Sequence, residues 1–275
     1  MNRQTDSLRR FLGGPQTAPS PSDRRLIAVG AGKGGTGASL VAGLVAVGAA
    51  AGGLRTLLVD TDADIGTMHR LFGCPDAPSF VQLRQGALEA ASLVTPLADQ
   101  LDAIAGGGAE PPLTDLELRT LLRRVAESFA EYDVVVLDAG SRLDAVLRAT
   151  SLGPAHLLAV TTPDPVSAAA TYALIKSVDA RAAGTVTHVV LNRADTAGAR
   201  RFADEISTAS QRWLGHAVPT AAELPDDASL RAALTAGLPL PDAAAGSPVA
   251  ELLATLAPRL LSMDPTTGRP AVRSA

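Results

Sequence analysis

The stretch Leu26–Leu40, LIAVGAGKGGTGASL, constrains this chain more than any other. Leu26 to Val29 is aliphatic and β-branched and reads as a buried strand. Gly30 to Gly37 then holds five glycines in eight residues, and Ala38 opens an almost wholly apolar helix. Strand, glycine-rich turn and helix, in that order, form the setting of a phosphate-binding loop. Glycine lets backbone N–H groups crowd around phosphate oxygens at the positive end of a helix dipole. Against the template G-x-x-x-x-G-K-[ST], Gly32, Gly37 and Ser39 fit, but the lysine position is Ala38. A lysine stands instead at Lys33, directly after the first glycine of the template. The competing reading is a turn that merely packs a helix close to a strand. Of 24 basic residues only Lys33 and Lys176 are lysines, which marks the compact ammonium in this turn as a specific choice.

Beyond that loop, strand-like and helix-like segments alternate. Strands are expected at Arg55–Asp60, around Leu101–Ala105, and at Tyr132–Asp138, His156–Thr161, Thr187–Leu191 and Ala217–Thr220. Helices are expected at Leu113–Phe129, Val166–Val178, Ala197–Leu214 and Pro248–Met263, with residues 74–112 rich in loop. The alternation predicts an α/β fold, a mostly parallel sheet with helices on both faces. With 275 residues, one large domain over residues 26–262 is expected. Residues 1–12 read either as a short amphipathic segment or as a frayed tail; residues 13–25 read as a disordered linker and residues 263–275 as a disordered tail.

Composition excludes several classes. A net charge of −4 with no lysine-rich block gives a nucleic-acid partner no electrostatic footprint. The single Cys74 rules out a disulfide framework and any four-cysteine site within one chain. Residues 1–25 lack an apolar signal core, and the longest apolar run, Leu40–Ala51, is too short to span a bilayer. A cytoplasmic protein is expected.

Carboxylates recur where an α/β sheet places its site, at the ends of strands. Arg55–Asp60 runs into Asp60-Thr61-Asp62, with Asp64 as an alternative register; a solvated acidic loop is the other reading. Tyr132–Asp138 is a run of apolar residues closed by an aspartate, the Walker B form, unless Asp138 only caps the next helix. Thr187–Leu191 delivers Asn192, a polar terminus or a turn-forming residue.

GKGGTGAS resembles the deviant Walker A loop, KGG-x-G-K-[ST], of the MinD/ParA ATPase superfamily. The resemblance implies a single-domain, three-layer P-loop NTPase fold that binds ATP and Mg²⁺ and forms a homodimer with ATP sandwiched between subunits. In that family the early lysine, here Lys33, reaches the partner's phosphates, and a later lysine, here replaced by Ala38, holds the β/γ-phosphates in cis. Gly32, Gly34, Gly35, Thr36, Gly37, Ala38 and Ser39 would line the nucleotide. Ser39, Asp60 and Asp138 would serve the metal, Asp62 would orient the attacking water, and Asn192 would read the adenine edge. Leu224-Pro225-Asp226-Asp227 resembles the family's I-P-x-D, which sets Pro225 against the base. A nitrogenase-type reductase of this superfamily draws two cysteines per subunit, which Cys74 alone does not supply.

Val160–Val178, VTTPDPVSAAATYALIKSV, resembles the FlhG branch (also called YlxH or FleN) more than generic MinD. Ahead of the loop, Gln4, Leu8 and Arg9 match the spacing of that branch's D-Q-A-x-x-L-R segment, with Arg3 and Thr5 in place of Asp and Ala. In that branch the segment binds and activates the flagellar SRP-type GTPase FlhF. The resemblance therefore implies a regulator of flagellar placement or number, a weak ATPase impaired by Ala38, at a cell pole or peripheral to the inner membrane face. Two alternatives stand beside it: a pseudo-ATPase scaffold without turnover, and a TadZ/CpaE-type pilus-positioning protein. MinD and FlhG carry a basic C-terminal amphipathic helix for membranes. Glu251–Leu261 offers only Arg259 as a cation and is interrupted by Pro258, so a core helix and weak or absent membrane binding are expected.

Overall fold

The computed structural model describes residues 26–61, 68–86, 89–107, 116, 120, 130–182, 184–195 and 198–263. Among these residues eight strands form one sheet: β1 (Leu26–Ala31), β2 (Thr56–Asp60), β3 (Thr95–Ala98), β4 (Leu101–Ile104), β5 (Val134–Asp138), β6 (His156–Thr161), β7 (Val186–Asn192) and β8 (Thr220–Leu224). Their order is β3-β4-β2-β5-β1-β6-β7-β8. β3 runs antiparallel to β4 at one edge, and every other pairing is parallel. The central strands β1, β2, β5 and β6 are buried at every position, as continuous apolar runs require in a sheet covered on both faces.

Period-two alternation divides these strands between two cores. Ala28, Val135 and Leu137 pack with Val146, Leu174 and Phe202, which come from α4 (Leu143–Thr150), α5 (Pro165–Asp179) and α6 (Arg200–Leu214). Ile27, Val29 and Val136 pack on the other face with Val41, Leu240, Leu253 and Leu260. Those four belong to α1 (Ala38–Ala51), α8 (Leu240–Ala243), α9 (Pro248–Ala254) and α10 (Leu256–Leu261). Short helices α2 (Met68–Leu71), α3 (Phe80–Arg84) and α7 (Ala228–Thr235) complete the three layers. α1 accepts the C-terminal helices at very close range. A Cβ at Gly43 would lie 2.4 Å from the Leu240 side chain, and one at Gly48 2.4 Å from the Ala254 Cα.

Several expectations need correction. The strand expected at Ala217–Thr220 lies further on, at Thr220–Leu224, where Ala222, Glu223 and Leu224 pair with β7. In residues 74–112, expected to be rich in loop, the strand expected around Leu101–Ala105 is present as β4, while α3 and β3 were not expected; α3 starts on a capping box in which Ser79 and Gln82 satisfy each other's backbone. The single helix expected over Pro248–Met263 is two, parted at Thr255. Leu256, Ala257 and Leu260 are buried, so this segment is part of the core, as its missing basic face suggested. The expected helix Leu113–Phe129 falls almost wholly outside the described residues, as do the N-terminal segment with Gln4, Leu8 and Arg9, the linker and the tail. Among the described residues no helix is long and apolar enough to cross a membrane.

Candidate functional site

The glycine-rich loop leaves β1 near the middle of the sheet and is shaped by close approach. A Cβ at Gly32 would stand 2.2 Å from the Ala170 carbonyl oxygen of α5, so only glycine lets the loop lie on that helix. Gly35 and Gly37 take φ of 81° and 90°, the left-handed region that glycine alone enters without strain. Among the described residues α1 begins after Gly37 with no side-chain cap, so its leading N–H groups keep the orphan character that suits an anion. Thr36 sits in this turn fully buried, and its hydroxyl has no hydrogen-bond partner among the described residues. A buried, unpaired hydroxyl costs roughly 1–3 kcal/mol, a penalty that a bound oxygen would relieve.

Two carboxylates stand on one side of the loop, on β5 and β2. Asp60 and Asp138 close neighbouring strands, in register with each other, and both are buried. Asp138 accepts a hydrogen bond from the Gly140 N–H at 3.0 Å, and Ala31 N–H donates to the Gly140 carbonyl at 3.0 Å. The turn after Asp138 is thereby tied to the start of the glycine loop. Asp60 accepts from the Met68 N–H at 3.4 Å, and Gly106 packs so near that a Cβ would lie 3.0 Å from the Asp60 carboxyl group. Hard oxygen donors of this type suit Mg²⁺.

Lys33 reaches the start of α5. Its Nζ stands 3.9 Å from Asp164 Oδ2, with both side chains about two-fifths exposed. Asp164 caps α5 by accepting from Ser167 N–H at 2.8 Å and also accepts from the Thr162 hydroxyl at 2.8 Å. Those two bonds, with a smaller contribution from Lys33, hold its carboxyl below the usual aspartate value.

On the other side of the loop, Asn192 donates from Nδ2 to the Thr36 carbonyl at 2.8 Å and accepts at Oδ1 from the Arg193 N–H at 3.0 Å. A cleft of about 300 Å³ opens here between Gly37, Leu40, Asn192, Arg193, Pro225 and Arg231. At its rim Arg231 grips Asp226 with bonds of 2.6 and 3.0 Å. Pro225, which the resemblance sets against a base, lines this cleft.

The structure gathers Gly32, Lys33, Gly34, Gly35, Thr36, Gly37, Ser39, Asp60, Asp138, Asn192 and Pro225 at the carboxyl ends of the parallel strands. Ala38 is also there, but it is turned inward and packs in the core beneath α1. Asp62 and its alternative Asp64 lie outside the described residues. Sequence reasoning missed Asp164 as the neighbour of Lys33, and Leu40, Arg193 and Arg231 as cleft walls. The Asp164-Pro165 pair is a legible helix start, a capping residue followed by proline at the first helical position. Its distance from Lys33 depends on how α5 lies across the sheet.

A glycine loop joining the central strand to a buried helix, with paired carboxylates on the adjoining strands, defines a P-loop nucleoside triphosphatase fold of the MinD/ParA type. The family model for ParA, described as NUBPL iron-transfer P-loop NTPase, matches residues 23–261, and the chain belongs to this family. The iron-sulfur cluster carrier protein of Mycobacterium tuberculosis (strain ATCC 25618 / H37Rv) is 28% identical over 304 residues, covering 96% of this chain and 76% of that protein. The flagellum site-determining protein YlxH of Helicobacter pylori (strain ATCC 700392 / 26695) is 23% identical over 182 residues, 64% of this chain and 62% of YlxH. Among solved structures, the septum site-determining protein MinD from Pyrococcus horikoshii OT3, complexed with Mg-ADP, superposes with a TM-score of 0.66. It is 20% identical and covers 85% of this chain and 94% of that one, which establishes the shared fold.

Proposed function

We propose that this chain is an ATP- and Mg²⁺-dependent dimerising switch of the FlhG type, a regulator of flagellar placement or number that acts through the SRP-type GTPase FlhF. The observation that carries the nucleotide reading is the in-register pair Asp60 and Asp138 beside the glycine loop. The flagellar reading draws on Val160–Val178, on Gln4, Leu8 and Arg9, and on the likeness to YlxH. The likeness to an iron-sulfur cluster carrier is not matched by donors. Cluster binding relies on several thiolates, and this chain has only Cys74. Its Sγ hydrogen-bonds the Phe72 carbonyl at 3.6 Å and lines a small gap beside Leu97 and Ala103, away from the loop.

In this reading the backbone N–H groups of Gly34 to Ser39 bind phosphate oxygens. Asp60, Asp138 and the Ser39 hydroxyl would hold the metal, which when bound would supply Lewis-acid neutralisation of phosphate charge. Asp62 orients water. Lys33 leaves Asp164 for the phosphates of a second subunit, and an exposed pair of this kind resists by only about 0–1 kcal/mol. The protein is cytoplasmic, at a pole or peripheral to the inner membrane face. Ala38 specifically favours a second reading, a scaffold with little or no turnover. The loss of one transition-state donor lowers rates roughly 10²–10³-fold.

Solution mass with and without ATP·Mg²⁺, for wild type and Lys33→Ala, tests the switch. Wild type should double in mass and the variant should not. Full-length chain should stimulate the GTPase of FlhF, whereas a chain lacking residues 1–22 should not. Equal stimulation by both would remove the partner assignment.

A further inference from the structure

We propose that Asn192 is a positioning residue of the phosphate-binding loop, setting affinity for a triphosphate whatever base it carries. The inference rests on the nucleotide reading above and gives Asn192 a role different from reading the adenine edge. Asn192 is the last residue of β7 and is only 9% exposed. Both ends of its amide are engaged, Nδ2 by the Thr36 carbonyl and Oδ1 by the Arg193 N–H. These two partners also fix the amide's orientation. Exchanging oxygen and nitrogen would set donor against donor and acceptor against acceptor.

The consequence runs through one peptide plane. The Thr36 C=O and the Gly37 N–H belong to the same planar trans unit and point in opposite directions. Pinning the oxygen on Asn192 therefore fixes the heading of the Gly37 N–H, a donor that the loop turns on phosphate. The contact is tight. A Cβ on Gly37 would lie 2.6 Å from Asn192 Nδ2, so the amide lies directly against the left-handed turn. The clamp itself is anchored. Arg193 holds φ of 59°, a left-handed conformation that a non-glycine residue keeps only where its surroundings enforce it, and the next N–H, of Ala194, donates to the Leu224 carbonyl of β8 at 2.8 Å. Without the amide, the Thr36 carbonyl would lose its partner and the Gly37 N–H its fixed heading.

The test separates phosphate from base by using a probe that has no base. Calorimetric titrations with Mg²⁺·tripolyphosphate and with Mg²⁺·ATP would compare wild type with Asn192→Ala. Asn192→Ala should weaken both probes by the same factor, roughly three- to tenfold for one lost neutral hydrogen bond. A loss for ATP with tripolyphosphate unchanged would overturn the proposal in favour of base reading. No change for either probe would overturn it as well. A second measurement needs no variant. In wild type, the Asn192 side-chain amide resonance should shift with tripolyphosphate alone, and a shift with adenosine alone would contradict the proposal. If wild type bound neither probe, the nucleotide reading and this inference would both fall, a result distinct from wild-type binding that Asn192→Ala leaves untouched.

Discussion

Replacing Ala38 with lysine restores the residue that the loop template calls for, and the structure lets both sides of the change be weighed. Ala38 is the first residue of α1, 6% exposed and packed in the core beneath that helix. In the empty protein the new ammonium would sit at the positive end of the helix dipole, unfavourable by about 0.3–1 kcal/mol. Its stem would crowd packed neighbours, which costs roughly 1–3 kcal/mol where they cannot yield. Ala38→Lys alone should therefore melt several degrees below wild type, at about 2–4 °C per kcal/mol for a domain of this size. With nucleotide bound, the same ammonium meets the β/γ-phosphates. A hydrogen bond to a charged group contributes about 1.5–3 kcal/mol, or roughly ten- to a hundredfold in affinity. The assay is calorimetric titration with ATP·Mg²⁺ together with thermal melts with and without nucleotide. A variant that is less stable alone, binds more tightly and hydrolyses faster fits this reasoning. A folded Ala38→Lys that binds ATP no better than wild type would refute it and leave the loop as a scaffold.

Further outcomes follow from other contacts. Gly32→Ala places a methyl group 2.2 Å from the Ala170 carbonyl, so α5 must shift, and a loss of at least about 1–3 kcal/mol is expected by urea unfolding; an unchanged midpoint would contradict that packing. His156 Nδ1 and His188 Nε2 lie 3.1 Å apart in the core. Burial lowers both, and with help from His156 and Arg259 it brings His188 to about 3. These rings are held neutral in the fold, so the stability they contribute is present above about pH 6.5 and is lost as pH falls; for His188 the loss continues toward pH 3, at up to about 1.4 kcal/mol per pH unit, and His156 adds to it in the same direction. A urea midpoint that stays flat from pH 7 to pH 5 would count against this. Flotation with anionic liposomes and ATP should leave the protein unbound, because Leu256 and Leu260 are spent in the core; ATP-dependent co-flotation would contradict it.

The sequence made the central part of this architecture legible because its strands are continuous apolar runs ending in chemically distinctive residues. β1, β2, β5, β6 and β7 announce themselves in that way, and Asp60, Asp138 and Asn192 mark their ends. The edge was harder to read. β3, Thr-Pro-Leu-Ala, carries a proline, which suits an edge strand but weakens a strand pattern. β8 was displaced because Thr220–Leu224 is only partly buried until its last residue, leaving little apolar pattern to follow. The break at Thr255 was marked by Pro258, whose ring cannot accept an uninterrupted helix before it. At the site, residue types were readable but contacts between distant segments were not. Neither the bond from Asn192 to Thr36, across 156 positions of sequence, nor the approach of Lys33 to Asp164 has a local signature.

The central claim, that a loop without its cis lysine still cradles a nucleotide, is tested most directly by titrating the wild-type chain with ATP·Mg²⁺ and following heat and solution mass together. The account predicts saturable binding coupled to dimer formation, with affinity rising with protein concentration because Lys33 acts across the interface. Absence of binding at millimolar ATP, with the chain folded and monomeric throughout, would contradict it.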